Sequence, residues 1–290
     1  MTHRDSSSSL PLAGFVGVFD SGVGGLSVWR EIARQLPHED IVYLADQAHV
    51  PYGFRPLEEI QAFDEGIARF LLDQGVKAIV IACNTASVAG LDHLRETFPD
   101  VPFVGMEPAV KPAAEQTRSG VIGVMATQTA FRGERFASLL ARYADGVQVL
   151  TRVGVGLVEA IESGALDAPE TEALLRQLLT PLVEAGADQL VLGCSHYPFL
   201  LPLIERVVGP GVTVVDPSPA VARQTARVLA RWRLEADRDR VGRHVFCTTG
   251  DALTFAGMAG RLIPSLWRDG DKAWAARWRD GCLEGDLVGA

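Results

Sequence analysis

Basic residues, paired cysteines and long apolar runs are all scarce in this chain, and each scarcity closes off a class of function. With 27 Lys plus Arg against 36 Asp plus Glu, the formal charge of −9 argues against the basic face that a nucleic-acid partner would require. Small anions are not excluded, because N–H groups at helix starts bind them without any net positive charge. Only four cysteines occur, Cys83, Cys194, Cys247 and Cys282, at wide and irregular spacings with no CxxC pair. That excludes a secreted disulfide framework and a structural zinc site, and it points to a reducing cytosol. No window reaches the ~18 apolar residues of a membrane span, and the polar, Ser-rich opening MTHRDSSSSLPLAG lacks a secretory apolar core. The expectation is a soluble, cytoplasmic protein that binds neither membrane nor nucleic acid, with residues 1–13 disordered.

Short apolar strands alternate with amphipathic helices along the 290 residues, the pattern of an α/β protein with mainly parallel sheets. Strands are expected at 14–19, 41–44, 78–82, 101–104, 120–125, 147–150, 189–192, 212–215 and 244–248. Laid over itself, the chain places GVKAIVIAC (75–83) on GADQLVLGC (186–194), an offset of 111 residues that also superposes VPFVGMEPAV (101–110) on VTVVDPSPAV (212–221). Nearer the start, GFVGVFDS (14–21) matches GVIGVMAT (120–127) at an offset of 106. Three segments in one order imply two copies of a single α/β unit. Each copy carries a cysteine at the end of a central strand, and ligands of such sheets bind beyond the carboxyl ends of the strands. Both thiols therefore belong at one cleft.

Cys83 and Cys194 each sit where a strand gives way to the start of a helix, a place where the helix dipole lowers a thiol pKa. Asn84, Thr85 and Ser195 add short polar groups suited to a carboxylate. Two thiols on opposite walls suit a two-base reaction, in which one face of a carbon loses a proton to a thiolate while the other face receives one. A dithiol switch would need the sulfurs in contact, and a thiol amidohydrolase would need one nucleophile rather than two. A two-lobed amino-acid binding module would require the loss of one thiol, and both are present. Cys247 and Cys282 read as ordinary small apolar residues.

Asp20 opens DSGVGG, which follows the first strand but is neither GxGxxG nor a phosphate loop with its Lys-Ser/Thr. At that position it serves either as a helix cap or as a charged partner for a catalytic group. His196, two residues after Cys194, can act as an acid partner or raise thiolate content. Tyr52 and Gly53 read as a lip over a ligand, and Asp46 with His49 is too small a set for a metal.

The motifs FDSGVGGLSV, VPYG, ACNTAS, GVIGVMAT and LGCSHYP, in this order, resemble the glutamate racemases of the cofactor-independent aspartate/glutamate racemase superfamily, over about residues 14–262. The resemblance implies two pseudosymmetric α/β domains enclosing glutamate, with no cofactor and no metal, in a homodimer that supplies D-glutamate for peptidoglycan. It implies that Cys83 deprotonates D-glutamate and Cys194 L-glutamate, with Asp20 and His196 assisting. Asp20, Ser21, Tyr52, Gly53, Asn84, Thr85, Thr127, Ser195 and His196 match positions around the substrate. Glu159 matches a further family glutamate, although Gly154-Val155 stands where the family has Cys-Pro, and Ser195 stands where it has Thr. Aspartate racemases, the nearest rivals, carry Glu in place of His196 and lack the FDSG opening. The expected division is 14–108 plus 217–262, then 109–216, with 263–290 as an extension whose Trp274 and Trp278 share one face of a helix capped by Asp271.

Overall fold

The computed structural model describes residues 14–132, 134–268 and 270–285. The segment 1–13, expected to be disordered, lies outside the described residues. In chain order the first unit runs β1 (Val16–Asp20), α1 (Leu26–Gln35), β2 (Ile41–Ala45), α2 (Leu57–Asp73), β3 (Ala78–Ile81), α3 (Asn84–Thr97) and β4 (Phe103–Val104). The second runs α4 (Val110–Gln116), β5 (Val121–Ala126), α5 (Gln128–Arg132), α6 (Glu134–Tyr143), β6 (Gln148–Val153), α7 (Leu157–Glu162), α8 (Pro169–Glu184), β7 (Gln189–Gly193), α9 (Leu201–Val208) and β8 (Thr213–Val215). The chain then returns to the first unit through α10 (Ser218–Trp232), β9 (His244–Thr248), α11 (Ala252–Leu262), β10 (Ala273–Arg279) and β11 (Cys282–Gly285).

Two sheets result, ordered β11-β10-β9-β2-β1-β3-β4 and β6-β5-β7-β8, and every pairing is parallel except β10 with β11. The internal repeat is visible at the level of single hydrogen-bonded partners. Val16 stands opposite Ala78 and, in the second sheet, Ile122 stands opposite Gln189, which are the same pair displaced by the 106- and 111-residue offsets. Likewise Ile79 opposite Phe103 becomes Leu190 opposite Val214. The fold class expected from sequence, two pseudosymmetric α/β units with mainly parallel sheets, is the one observed.

β3 is apolar throughout because both faces of its sheet are covered: Ala78 and Val80 join the core on one side, Ile79 and Ile81 the core on the other. Among the described residues no helix is long and apolar enough to cross a membrane.

The helix expected around Trp274 and Trp278 is instead strand β10, which with β11 extends the first sheet. Asp271 is no cap; its Oδ2 accepts the Arg268 N–H at 2.7 Å within a turn. Cys247 is buried as expected, whereas Cys282 is exposed on β11.

Candidate active site

Cys83 follows the last residue of the central strand β3 and is the N-cap of α3, with extended φ and ψ of −93° and 125°. Its Sγ accepts the Ala86 N–H at 3.5 Å, taking the place of a capping hydroxyl. The thiol is nonetheless pushed well above its ordinary value, by burial first and the Asp20 charge second, against which the Ala86 hydrogen bond works in the opposite sense. The lowering expected from the helix start is therefore present but outweighed in this closed, dry arrangement.

Cys194 follows β7 at the equivalent place, but no α-helix begins there. Residues Tyr197–Leu200 form a single 3-10 turn before α9. An unbroken helix would put Pro202 in its interior, where it offers no N–H to the Pro198 carbonyl.

Two short runs of polar groups, one from each thiol, meet between the units. Cys83 Sγ lies 3.9 Å from Ser21 Oγ, which in turn reaches Asp20 Oδ1 at 3.4 Å. Asp20 also accepts the Gly22 N–H at 2.8 Å, and its Oδ2 accepts Ser195 Oγ–H at 2.7 Å from the neighbour of Cys194. Beyond it, Cys194 Sγ is 3.8 Å from His196 Nδ1, and His196 Nε2 is 2.7 Å from Glu162 Oε1. Burial raises Asp20 above the usual carboxylate range, although His196 pulls the other way. Burial also opposes the charge on His196, yet the bonds to Cys194 and Glu162 prevail and hold it well above an ordinary histidine. The sulfurs are close enough for a charge on Cys194 to raise Cys83 further.

The glycines of DSGVGG make room for this machinery rather than for a phosphate. A Cβ on Gly24 would sit 2.2 Å from His196 Nδ1, and one on Gly22 would sit 1.9 Å from Glu162 Oε1. Glu162 Oε1 accepts the Val23 N–H at 2.7 Å, so this loop receives side chains from the second unit.

Across the seam, Thr85 Oγ1 meets Thr127 Oγ1 at 2.9 Å, and Thr129 Oγ1 donates to the Gly53 carbonyl at 2.9 Å. Gly53 is packed so closely on Thr127 that a Cβ would lie 3.0 Å from Thr127 Cβ. Tyr52 OH donates to Asp46 Oδ2 at 2.6 Å. Asp46 and His49 do meet, at 2.8 Å, as a hydrogen-bonded pair. Asn84 stands apart, 1% exposed, with neither its amide oxygen nor its nitrogen hydrogen bonded. Such a group is costly unless a ligand satisfies it.

Glu159 is exposed, and Glu162, one turn further along α7, is the carboxylate that reaches His196. A signal for this exists in the sequence. Glu162 lies four residues after the buried Val158 and shares its face, while Glu159 does not. The Gly154-Val155 departure also has a structural counterpart: a Cβ on Gly154 would lie 2.2 Å from the Tyr197 hydroxyl, and Gly156 adopts φ of 84°.

The family described as Asp/Glu/Hydantoin racemase matches residues 16–225. A glutamate racemase of Pseudomonas aeruginosa is 55% identical over 253 residues, covering 87% of this chain and 93% of that protein. Among solved structures, a glutamate racemase isoform from Bacillus anthracis superposes with a TM-score of 0.80 at 32% identity, covering 92% of this chain and 98% of that one. The Escherichia coli glutamate racemase, solved in complex with L-glutamate and an activator, gives 0.77 at 33% identity, covering 90% and 97% respectively. With two thiols at pseudo-equivalent strand ends and this extent of similarity, the chain belongs to the Asp/Glu/Hydantoin racemase family.

Proposed function

We propose that this protein is a glutamate racemase that interconverts L- and D-glutamate by proton transfer between Cα and two thiols, supplying D-glutamate for peptidoglycan. The observation that carries this reading is the placement of Cys83 and Cys194 at repeat-related strand ends, with Ser21 and Asp20 linking Cys83 to Ser195, the residue that follows Cys194. One thiolate takes the α-proton from one face of the carbon, and the opposite thiol returns a proton to the other face. The substrate of its relatives supports glutamate rather than aspartate.

Cys83 acts on D-glutamate with Asp20 as its charged neighbour. Cys194 acts on L-glutamate with His196 as its proton-holding partner and Glu162 holding that ring. Asn84, Thr85, Thr127 and Ser195 bind the amino acid, with the unsatisfied Asn84 amide completing its hydrogen bonds on the ligand, while Ser21, Tyr52 and Gly53 close over it. Abstraction of an α-proton from an amino acid is difficult, and the dry, preorganised donors of a closed cleft lower its cost. The reading needs no imine-forming cofactor.

Three further parts rest on the resemblance: the units divide at 14–108 plus 217–262 and 109–216, the protein is a homodimer, and it acts in the cytoplasm. Chiral chromatography of L- and D-glutamate, with aspartate as control and no cofactor added, tests the activity. Cys83→Ser and Cys194→Ser should each abolish racemisation and exchange of the α-proton in heavy water; full activity in either variant overturns the two-thiol reading.

A further inference from the structure

Asp46, at the end of β2, has no exposed surface, and its two carboxylate oxygens receive four donors. Oδ2 takes the Tyr52 hydroxyl at 2.6 Å and His49 Nδ1 at 2.8 Å. Oδ1 takes the Thr249 hydroxyl at 2.8 Å and, from the C-terminal hairpin, Trp278 Nε1 at 2.7 Å. Four donors fill the acceptor capacity of a carboxylate, so each one fixes the direction left for the others. The Asp46 backbone N–H also donates to the Asp20 carbonyl at 2.9 Å, which places this hub directly beside the thiol network.

The indole of Trp278 occupies a socket built for it. Gly66 lies in the interior of α2, where glycine costs about 1 kcal/mol relative to alanine. A Cβ there would come within 2.6 Å of the ring of Trp278. Phe63 and His49, stacked on each other at 3.9 Å, flank the same ring at 5.8 and 5.3 Å. Ring placement and the single N–H are thus both specified, and both act on Asp46. The family match ends at residue 225, well before this hairpin.

We propose that Trp278 is a positioning residue of the racemase reaction: through Asp46 it orients the Tyr52 hydroxyl and so sets the lip formed by Tyr52 and Gly53 over the substrate. This inference rests on the racemase reading above. The lip is also the seam on which Thr127 and Thr129 of the second unit close, so its placement governs how well glutamate is held. The C-terminal hairpin, far from the thiols in sequence, is by this account part of the substrate site.

The test compares wild type, Trp278→Phe, Tyr52→Phe and the double variant in steady-state racemisation of glutamate in both directions. Trp278→Phe keeps an aromatic ring in the socket and removes the N–H. KM should rise about tenfold, the scale of one lost hydrogen bond to a charged acceptor, with kcat changed by less than about twofold. In the Tyr52→Phe background, where the hydroxyl is already gone, the same substitution should have little further effect. An unchanged KM in Trp278→Phe overturns the proposal, and so does an equal KM penalty in both backgrounds, which would mean that the indole acts on the fold and not through Tyr52. Wild-type protein that fails to racemise glutamate would instead overturn the racemase reading itself.

Discussion

His196 is held between a thiol and a carboxylate, and its protonation follows from which of its surroundings prevails. Burial disfavours the charged ring, but the bonds to Cys194 and Glu162 raise it well above 6.5, while Glu162 falls below 4.5 despite its own burial, chiefly through the His196 bond. The two shifts are opposite in sign, and each favours the charged form of its group. The histidine's contribution to stability is complete below about pH 6.5 and is lost as pH rises through its raised folded value. The glutamate's contribution is present above about pH 4.5 and is lost as pH falls through its lowered one. Across neutral pH the pair is therefore charged and favours the closed arrangement. Glu162→Gln keeps a polar side chain but removes the charge, so the alkaline limb of the pH–rate profile should move down by about one unit in the direction that depends on Cys194. Profiles measured for both enantiomers check this, and coincident curves for variant and wild type reject it. Asp64 gives a second case with the opposite consequence. It is fully buried in α2 with both oxygens unpartnered, and burial, then Asp46, raise it well above 3.8. The folded state keeps a proton that the unfolded chain releases above about pH 3.8, so stability declines as pH rises toward the folded value. Asp64→Asn carries no such proton, and its melting temperature should exceed that of wild type by about 3 °C at pH 8, with the gap closing in acid. Calorimetry at several pH values measures it, and a constant gap would remove Asp64 as its source. His196 was legible in the sequence from its place beside Cys194, and Glu162 only through the face it shares with Val158; Asp64 was not legible at all, because a charge on a helix face says nothing of its partner until the cleft or the neighbouring helix is in place.

Elements of the repeat were readable because a strand buried on both faces leaves an unbroken β-branched run, and because chemistry at its end repeats with it. The loop after β1 was only half legible. DSGVGG announces a tight turn, but what the glycines admit, His196 and Glu162 from the second unit, appears only once the two units meet. Gly24→Ala should therefore fold and yet misplace His196, lowering kcat/KM about 100-fold or more with circular dichroism unchanged. Activity near wild type would show that the ring has room to move. The C-terminal segment misled for a definable reason. Trp274 and Trp278 are four residues apart, and a spacing of four keeps two side chains on one face of either a helix or a strand. Ala276, midway between them, decides the matter: at 1% exposure it shares their buried face, which only a strand allows. The flanking Arg and Ala residues carry no β-branched signal, so the sheet edge at β9, not local propensity, makes this segment a strand.

At the scale of the whole molecule the two units are shut on each other, and the Cys83 and Cys194 thiols are each only 5% exposed. Glutamate therefore enters only if the units part, and the groups that hold them together away from the thiols set how readily that occurs. Arg135, on α6, is one such group: it reaches Glu107 in the connecting segment at 2.8 Å and also pairs with Asp92 on α3 of the first unit. Asp92 and Glu107 are largely solvated, so each pair is worth at most about 1 kcal/mol and is weakened by salt. That is still enough to change an opening equilibrium by about fivefold. Arg135→Ala should thus raise the rate at which iodoacetamide alkylates Cys83 and Cys194 by roughly two- to fivefold in low salt, without altering the fold. Added sodium chloride should speed alkylation of the wild type toward the variant's rate while leaving the variant nearly unaffected, because the variant no longer has the pairs that salt screens. Peptide mass spectrometry of each thiol separates this effect from labelling of the exposed Cys282. Equal rates in wild type and variant at low salt would mean that the seam at Thr85, Thr127 and Thr129, and not the Arg135 bridge, controls access to the cleft.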